Sequence, residues 1–321
     1  MNILVTGGAG YIGSHVVHEL IDKGNRVTIF DDLSTGNENN IDTRAKFFRG
    51  STLIKSDLEK VMKNRFDGVI HLAASKAAGE SMLYPEKYII NNLMGSYNLL
   101  LACCKNNINN FVFSSSAAVY GLPQYIPLDE NHPTIPINYY GETKLQIETN
   151  LIWFNRLKNI NYASLRYFNA AGYDINGRIK GKENNPQNLI PAIMEAATGI
   201  RKKLFVFGND YKTKDGTGVR DYIHVNDLAT AHLKALNYLI KSNNNLIINL
   251  ATGIGHSVLD VIKETEKISK NKIKYIITDR REGDADIIIS KSIRSQKELK
   301  WKPRYSDLET LIKTTWNIYK K

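Results

Sequence analysis

The chain has 321 residues, of which 42% are hydrophobic, and it carries a formal net charge of +11. This length and composition allow a substantial core in two domains, or in one large domain with a lobe. No apolar run approaches the length of a membrane span, and the basic residues are scattered through a chain rich in Asn, Ile and Lys, so the charge does not indicate a nucleic-acid-binding protein.

The first predicted elements are a strand and a helix joined by a glycine-rich turn. Residues 2–5 form an apolar run typical of a buried parallel strand, and residues 11–23 have the apolar spacing of a helix. Gly7 suits backbone angles closed to other residues, Gly10 allows close approach of a pyrophosphate, and Gly13 allows the helix to pack closely on the strand. The segment therefore predicts a dinucleotide-binding loop at the start of a helix.

The second predicted strand, residues 26–30, is followed directly by Asp31. An acid about 20 residues after the glycine loop is suited to bind the adenosine ribose hydroxyls. A carboxylate there also repels the additional phosphate of NADP. The sequence therefore favours NAD as the cofactor, and we expect no metal.

Strands and helices continue to alternate, which is typical of a doubly wound parallel sheet. Further strands are predicted at 45–48, 68–72, 111–115 and 162–167, and long helices at 85–106, 140–157 and 225–239. We expect an α/β fold of Rossmann type with a smaller C-terminal α/β substrate lobe. Its predicted parts are an NAD-binding domain at 1–168 and a substrate-binding lobe at 169–321. Segments 174–186 and 209–218 interrupt the pattern in the lobe, and residues 222–250 are a candidate for return to the first domain.

The two cysteines, Cys103 and Cys104, are neighbours inside the predicted helix 85–106. Adjacent helical positions are a poor geometry for a disulfide, so the pair indicates a reducing compartment. No signal peptide is predicted ahead of the first strand. We therefore expect a cytoplasmic protein.

The candidate catalytic groups are Ser116, Tyr140 and Lys144. Ser116 follows a predicted strand, at the edge of the sheet where ligands bind in open α/β folds. Tyr140 and Lys144 lie one turn apart on a helix, whereas Tyr139 has Thr143 at the same spacing. A tyrosine usually titrates at about 10. A neighbouring ammonium and a positive nicotinamide ring predict a lowered pKa, and hence a general base that works near neutral pH.

These residues belong to longer motifs that make the family recognisable. The matching stretches are 5–15 (VTGGAGYIGSH), 76–81 (KAAGES), 114–116 (SSS), 140–144 (YGETK), 165–169 (LRYFN), 188–191 (NLIP), 207–211 (FGNDY), 215–225 (DGTGVRDYIHV) and 281–284 (REGD). The chain resembles the extended short-chain dehydrogenase/reductase family and, within it, the 4-epimerases of UDP-hexoses. The resemblance extends over nearly the whole chain.

The resemblance implies a reaction and a set of binding residues. It implies reversible C4 epimerisation of UDP-galactose and UDP-glucose through a transient 4-keto sugar. It also implies a homodimeric enzyme of galactose metabolism that keeps its NAD bound between turnovers. The implied NAD-binding residues are Gly7, Gly10, Tyr11, Ile12, Gly13, Asp31, Ser51, Lys76, Asn91, Ser114, Tyr140, Lys144 and Tyr167. The implied UDP-sugar-binding residues are Ser116, Asn169, Asn188, Leu189, Phe207, Arg220, Tyr222, Arg281, Asp284 and Ile288. Arginine forks such as those of Arg220 and Arg281 bind diphosphate oxygens well.

The chain departs from the family pattern at three positions. Ser51 stands where the family usually has an aspartate for the adenine amino group, and Tyr139 occupies a common proline position. Ile288 stands where a tyrosine or a small residue sets the room around the second carbon of the sugar. This position leaves open whether N-acetylated UDP-hexoses are also substrates.

Three alternatives remain open from the sequence. One is an epimerase of UDP-N-acetylglucosamine, and another is a related nucleotide-sugar 4,6-dehydratase. The dehydratase reaction calls for an acidic pair after the serine-tipped strand, where this chain has Ala117 and Ala118. The third is a non-enzymatic NAD-sensing regulator, which can dispense with the Tyr140 and Lys144 pair that this chain keeps.

Overall fold

The computed structural model describes residues 1–183, 186–281 and 283–320. Four residues named in the sequence analysis, or lying in its segments, fall outside the described residues: Asn184 and Asn185 in segment 174–186, Glu282 in the 281–284 motif, and Lys321 at the end of the predicted lobe.

The strands alternate with helices along the first part of the chain and are less regular after it. The strands are β1 (Asn2–Thr6), β2 (Arg26–Asp31), β3 (Lys46–Arg49), β4 (Gly68–His71), β5 (Asn110–Ser114), β6 (Asn161–Tyr167), β7 (Asn169–Ala171), β8 (Leu204–Phe207), β9 (Val219–His224), β10 (Leu246–Leu250), β11 (Gly255–Ser257), β12 (Tyr275–Thr278) and β13 (Ile287–Ile288).

The helices cover both faces of the main sheet and build the C-terminal part. The helices are α1 (Tyr11–Asp22), α2 (Lys55–Val61), α3 (Ala78–Leu83), α4 (Pro85–Tyr88), α5 (Gly95–Lys105), α6 (Tyr139–Lys158), α7 (Leu189–Ala197), α8 (Val225–Ser242), α9 (Val258–Ser269), α10 (Ile293–Leu299) and α11 (Leu308–Tyr319). Short 3₁₀ turns lie at Glu38–Asn40, Met62–Asn64 and Ala117–Val119, and a π-helical turn at Ile89–Met94 joins α4 to α5.

The main sheet has seven parallel strands in the order β10-β6-β5-β4-β1-β2-β3. The chain runs outward from β1 in one direction through β2 and in the other through β4, so the strand order reverses between β1 and β4. Ligands bind at such a switch point, beyond the carboxyl ends of the strands. The predicted α/β class and doubly wound parallel sheet are confirmed.

Side chains of each strand alternate between two cores. Ile3 and Val5 of β1 pack with α1 and α8 on one face, and Leu4 packs with α2, α5 and α6 on the other. Strand β10 pairs with β6, so the chain returns to the main sheet after passing through the C-terminal part.

A smaller α/β unit stands beside the main sheet. It contains a four-stranded sheet, in which β9 pairs with β7, β11 and β13, and the two-stranded pair of β8 and β12. Helices α7, α9 and α11 enclose a separate core there, with Ile193, Val261 and Leu311 at its centre. Within the described ranges, no helix is both long and apolar enough to cross a membrane.

Most predicted element ends differ from the structure by one or two residues, as expected at frayed termini. Two differences change the type of backbone structure at a predicted position. The predicted helix 85–106 consists of α4, a π-helical turn and α5, all in one helical run. Ser115 was predicted as the end of a strand, but β5 ends at Ser114 and the backbone turns there because Ser115 N–H donates to Phe113 O at 3.0 Å.

Candidate active site

The glycine loop after β1 is held at very close distances. Gly7 has φ +72°, and a Cβ on Gly13 would lie 2.0 Å from the Gly7 carbonyl oxygen. Helix α1 therefore packs against the loop at a distance that only glycine allows. Gly10 stands at the N-cap of α1 and supplies no side-chain cap, so the first-turn N–H groups are left for another acceptor. This loop fits a pyrophosphate.

Asp31 lies at the end of β2, next to the same loop. Its carboxylate accepts hydrogen bonds from Ala9 N–H at 3.0 Å and Leu33 N–H at 2.9 Å. Burial raises the pKa of this carboxyl, and the two backbone donors oppose that effect. A fixed acid beside the glycine loop suits ribose hydroxyls. Ser51 lies just beyond β3, where its N–H faces Asp57 and its hydroxyl accepts from Leu53 N–H at 3.4 Å.

Lys76 and Asn91 lie beyond β4, on the far side of the switch point. Asn91 donates to the Ser75 hydroxyl at 3.1 Å. The half-exposed Lys76 ammonium lies 6.0 Å from the centre of the Tyr11 ring and forms an ion pair with Glu183. The segment after β7 thus reaches across to the cofactor side of the cleft.

The three consecutive serines after β5 have different partners. The Ser114 hydroxyl hydrogen-bonds His232 Nε2 at 2.7 Å, and its carbonyl accepts from Lys144 Nζ at 2.8 Å. Ser115 is fully buried and donates to Glu148. Ser116 caps a 3₁₀ turn by accepting from Ala118 N–H at 3.1 Å, and its side chain lies close enough to Tyr140 to act against the rise in the pKa of that phenol.

Helix α6 carries Tyr140 and Lys144 on the face that meets these serines. Asn138 caps the helix by accepting from Gly141 N–H at 2.9 Å, which fixes where the first turn begins. Lys144 is 3% exposed, and its ammonium lies 4.8 Å from the Phe113 ring centre and 5.7 Å from that of Tyr140. The structure thus brings the serine, the tyrosine and the lysine together. Such an arrangement can move a proton to and from a substrate hydroxyl.

The predicted direction of the Tyr140 pKa shift is wrong for the protein by itself. Burial raises the pKa of Tyr140, and the hydrogen bond with Ser116 opposes that rise. Neighbouring positive charges favour the phenolate, but desolvation of a buried phenolate opposes its formation and outweighs them here. Burial also lowers the pKa of Lys144 to about 7, so this lysine favours the phenolate of Tyr140 less than a fully charged lysine would. Tyr167, at the end of β6, is likewise shifted upward in pKa by burial.

Apart from Ser116, the candidate UDP-binding residues lie on the smaller unit. Cross-strand pairing places Asn169 of β7 opposite Tyr222 of β9, and Ile288 of β13 opposite Arg220. Arg220 forms an ion pair with Asp284. The exposed Arg281 guanidinium stacks 3.9 Å from the ring centre of Phe207. Asn188 and Leu189 lie at the start of α7, with Asn188 exposed.

Ile288 is half-buried against a small apolar cluster below the serines. The cluster contains Val119, Tyr120 and Leu128, with Ala117 and Phe168 packed on it. Ile288 is therefore paired with Arg220 through the backbone, while its side chain packs on residues that follow Ser116. A side chain at this position is able to shape the space near the catalytic serine.

Sequence reasoning missed a buried ion pair beneath the catalytic groups. Glu148 and Arg166, at 2% and 5% exposure, join through two nitrogens of the guanidinium, with Nη2 to Oε2 at 2.5 Å. Arg166 also donates to the Tyr120 hydroxyl at 3.1 Å. One signal was present: Glu148 follows Lys144 by one turn on a face that otherwise buries Ile147 and Leu151.

Comparisons with known proteins agree with this geometry. Residues 3–251 match the NAD dependent epimerase/dehydratase family. The UDP-glucose 4-epimerase of Streptococcus mutans is 43% identical over 98% of this chain and 96% of its own. The crystal structure of UDP-glucose 4-epimerase from Brucella ovis in complex with NAD has a TM-score of 0.96 at 39% identity, covering 99% of this chain and 98% of its own. The enzyme from Bifidobacterium longum in complex with NAD+ and UDP has a TM-score of 0.93 at 36% identity, covering 99% and 98%.

Proposed function

Because the chain belongs to the NAD dependent epimerase/dehydratase family, we propose that it interconverts UDP-galactose and UDP-glucose by reversible epimerisation at C4. The observation that carries this proposal is the convergence of Ser116, Tyr140 and Lys144 at the carboxyl end of β5. The similarity to UDP-glucose 4-epimerases over nearly the full length supports it. NAD, when bound, accepts the C4 hydride and later supplies it again.

The catalytic side chains handle the proton. Tyr140 removes the C4 hydroxyl proton, with Ser116 bridging between the phenol oxygen and the sugar. Lys144 stabilises the phenolate because an adjacent positive charge favours the charged form. The resulting 4-keto sugar turns about its phosphate link while the UDP part stays bound. Tyr140 then returns the proton as the opposite face of C4 is reduced, so no net oxidation occurs.

The cofactor is held by the first of two proposed domains, residues 1–168. The glycine loop fits its pyrophosphate, and Asp31 is the proposed ribose ligand that favours NAD over NADP. Lys76 and Asn91 are proposed to contact the nicotinamide side. Residues 222–250 are proposed to return to this domain, in keeping with the pairing of β10 with β6.

The second proposed domain, residues 169–321, holds the UDP group. Arg220 and Arg281 are the proposed diphosphate ligands, since guanidinium forks suit phosphate oxygens. Both are already engaged, Arg220 with Asp284 and Arg281 with Phe207. UDP binding therefore exchanges protein contacts for phosphate contacts on this side of the cleft.

We propose a homodimer built through an apolar surface on α5 and α6. On the α4–α5 run, the side chains of Ile90, Met94 and Leu101 are exposed and spaced as on one helix face, and α6 exposes Trp153 and Leu157. The two helices are adjacent, as a hydrogen bond from Asn150 to the Tyr97 hydroxyl at 3.1 Å indicates. A connected apolar surface of this kind marks a protein interface.

Light scattering tests the dimer directly. We expect twice the chain mass for the wild type and a single chain mass for Leu101→Glu combined with Trp153→Glu. A monomeric wild type would contradict the proposal. We also propose that the enzyme works in the cytoplasm, in galactose metabolism, where the unpaired Cys103 and Cys104 would stay reduced.

The reaction is tested by incubating the purified protein with UDP-galactose and no added NAD. We expect UDP-glucose to appear, and we expect denaturation of the protein to release NAD or NADH in nearly equal amount to chain. A keto-deoxy sugar would instead indicate a dehydratase. No product from NAD-loaded protein would indicate a binding protein, and release of NADP would contradict the role of Asp31.

A further inference from the structure

A buried carboxylate continues the line of catalytic residues along α6. Tyr140, Lys144 and Glu148 are spaced by four residues and so lie along one face of the helix. Glu148 is 2% exposed. The epimerase chemistry proposed above uses the first two of these residues and leaves Glu148 without a part.

Glu148 holds the strand end that carries the catalytic serine. Its Oε1 accepts from the Ser115 hydroxyl at 2.5 Å. Ser115 lies between Ser114, whose carbonyl accepts the Lys144 hydrogen bond, and Ser116, whose side chain lies beside Tyr140. The Glu148 carboxylate therefore fixes Ser115, which lies between the two serines that are next to Lys144 and Tyr140.

Arg166 forms an ion pair with Glu148 in its buried position. Its Nε donates to the carboxylate at 3.0 and 3.2 Å, and its Nη2 at 2.5 Å. A guanidinium that approaches both carboxylate oxygens forms strong, charge-assisted hydrogen bonds with the carboxylate. Arg166 is fixed in turn by the Tyr120 hydroxyl at 3.1 Å.

The charges around Lys144 come from several elements. The titratable and charged groups packed around α6 and its catalytic face come from five other elements and from α6 itself. They are His71 of β4, Glu80 of α3 paired with Lys87 of α4, Tyr88 of α4, Tyr97 of α5, Tyr162, Arg166 and Tyr167 of β6, and Tyr140 and Glu148 of α6. Within the described ranges, Lys144 forms no ion pair. Burial lowers the pKa of Lys144 to about 7, and Glu148 is the group whose charge opposes that effect.

We propose that Glu148 is a positioning residue for the catalytic pair: its carboxylate is a counter-charge one turn from Lys144 on the same helix face, and it fixes the Ser114–Ser116 strand end through Ser115. The proposal rests on the proposed function of this site. Glu148 acts through Lys144 and Ser115 and touches neither sugar nor cofactor.

The test is the pH profile of kcat for Glu148→Gln, which keeps an oxygen for Ser115 but removes the charge. Lys144 then loses its proton more readily, and the phenolate of Tyr140 becomes less stable. We expect the acid limb of the kcat profile to move upward by roughly one pH unit, with KM for UDP-galactose within about twofold of wild type. Glu148→Asp, which keeps the carboxylate, is expected to restore the limb towards the wild-type position.

Two further variants separate this role from a structural one. Glu148→Gln leaves the buried Arg166 without an anionic partner, which is strongly destabilising. The double variant with Arg166→Met is therefore measured as well and is expected to show the same upward shift. Asp227→Asn removes a different buried carboxylate, which accepts from the N–H groups of Arg304 and Tyr305. We expect it to lower Tm and leave the profile in place.

A second readout does not depend on turnover. Phenolate absorbance of each purified holoenzyme, minus that of its Tyr140→Phe counterpart, follows the ionisation of Tyr140 alone. We expect this titration to move upward in Glu148→Gln, even if the epimerase assignment failed. The proposal is overturned if Glu148→Gln lowers Tm but leaves both the kcat profile and the phenolate titration unchanged. It is also overturned if Asp227→Asn shifts the profile and the titration as far as Glu148→Gln does.

Discussion

The two sides of the cleft hold their functional side chains in different ways. On the main-sheet side, Lys144 is 3% exposed and hydrogen-bonds the Ser114 carbonyl. On the smaller unit, Arg281 is exposed and stacks on Phe207. Proton transfer benefits from dipoles and charges that are already fixed, because no reorganisation is then needed during the reaction. Recognition of a diphosphate can instead use charges that stay solvated until the ligand arrives.

The difference also has an energetic side. Burial of an ammonium disfavours its charged form, so the catalytic side is built at the expense of stability. Partly exposed pairs such as Arg220 with Asp284 contribute little to stability and are easily exchanged for ligand contacts. We therefore expect substitutions on the two sides to differ in which kinetic constant they change.

The largest effect is expected from Tyr140→Phe, which removes the acid–base oxygen and keeps the ring. Loss of a general acid–base group lowers turnover by about 10²- to 10⁴-fold, while affinity for UDP-sugar should stay close to wild type. Steady-state kinetics together with calorimetric titration of UDP would show this separation. Near-normal turnover would show that another group is the base.

For Arg281→Ala and Arg220→Ala we expect the opposite kinetic pattern, in which KM changes more than kcat. A hydrogen bond to a charged group contributes about 1.5–3 kcal/mol, so KM should rise by about 10- to 100-fold with kcat changed much less. Arg220→Ala should have the larger effect, because it also leaves Asp284 unpaired near the diphosphate. Arg280→Ala, beside them but stacked on Tyr211, is the control. If the arginine variants lost as much kcat as Tyr140→Phe, the proposed difference between the two sides would be wrong.

Lys144→Met tests the stability cost of the catalytic side. Because the pKa of Lys144 is lowered from 10.5 to about 7, the unfolded chain holds more protons between these values, and wild-type stability gains relative to the variant as pH rises. Below pH 7 the full cost of the buried charge remains. We expect the NAD-free variant to have the higher Tm at pH 6, with an advantage that shrinks by pH 9. Parallel melting curves that keep a constant difference would argue against a buried ammonium.

The smallest effect is expected at Ile288, where the two sides meet. Isoleucine is shorter than tyrosine, so we expect UDP-glucose and UDP-galactose as main substrates with measurable turnover of UDP-N-acetylglucosamine. In Ile288→Tyr the N-acetyl sugar should lose several-fold more activity than the plain sugars. Rejection of the N-acetyl sugar by the wild type, or equal activity in the tyrosine variant, would show that Ala285 and Asp286 already close the space.

Local patterns were sufficient for much of the first half of the protein. The glycine spacing, the acid after the second strand and the four-residue step from Tyr140 to Lys144 depend on contiguous chain, so the sequence indicated the α/β fold and NAD. The π-helical turn at Ile89–Met94 was not predicted, because helical periodicity differs too little over six residues to reveal it.

Tertiary structure decided what depends on residues far apart in the chain. The contact of Glu148 with Ser115 spans 33 positions, and the pairing of Arg220 with Asp284 spans 64. No local pattern specifies such contacts, since they arise when separate elements pack together. The upward pKa shift of Tyr140 has the same origin: Lys144, four residues on in the sequence, supplies a charge, but the packing around the phenol supplies the desolvation, and only the folded chain shows which effect is larger.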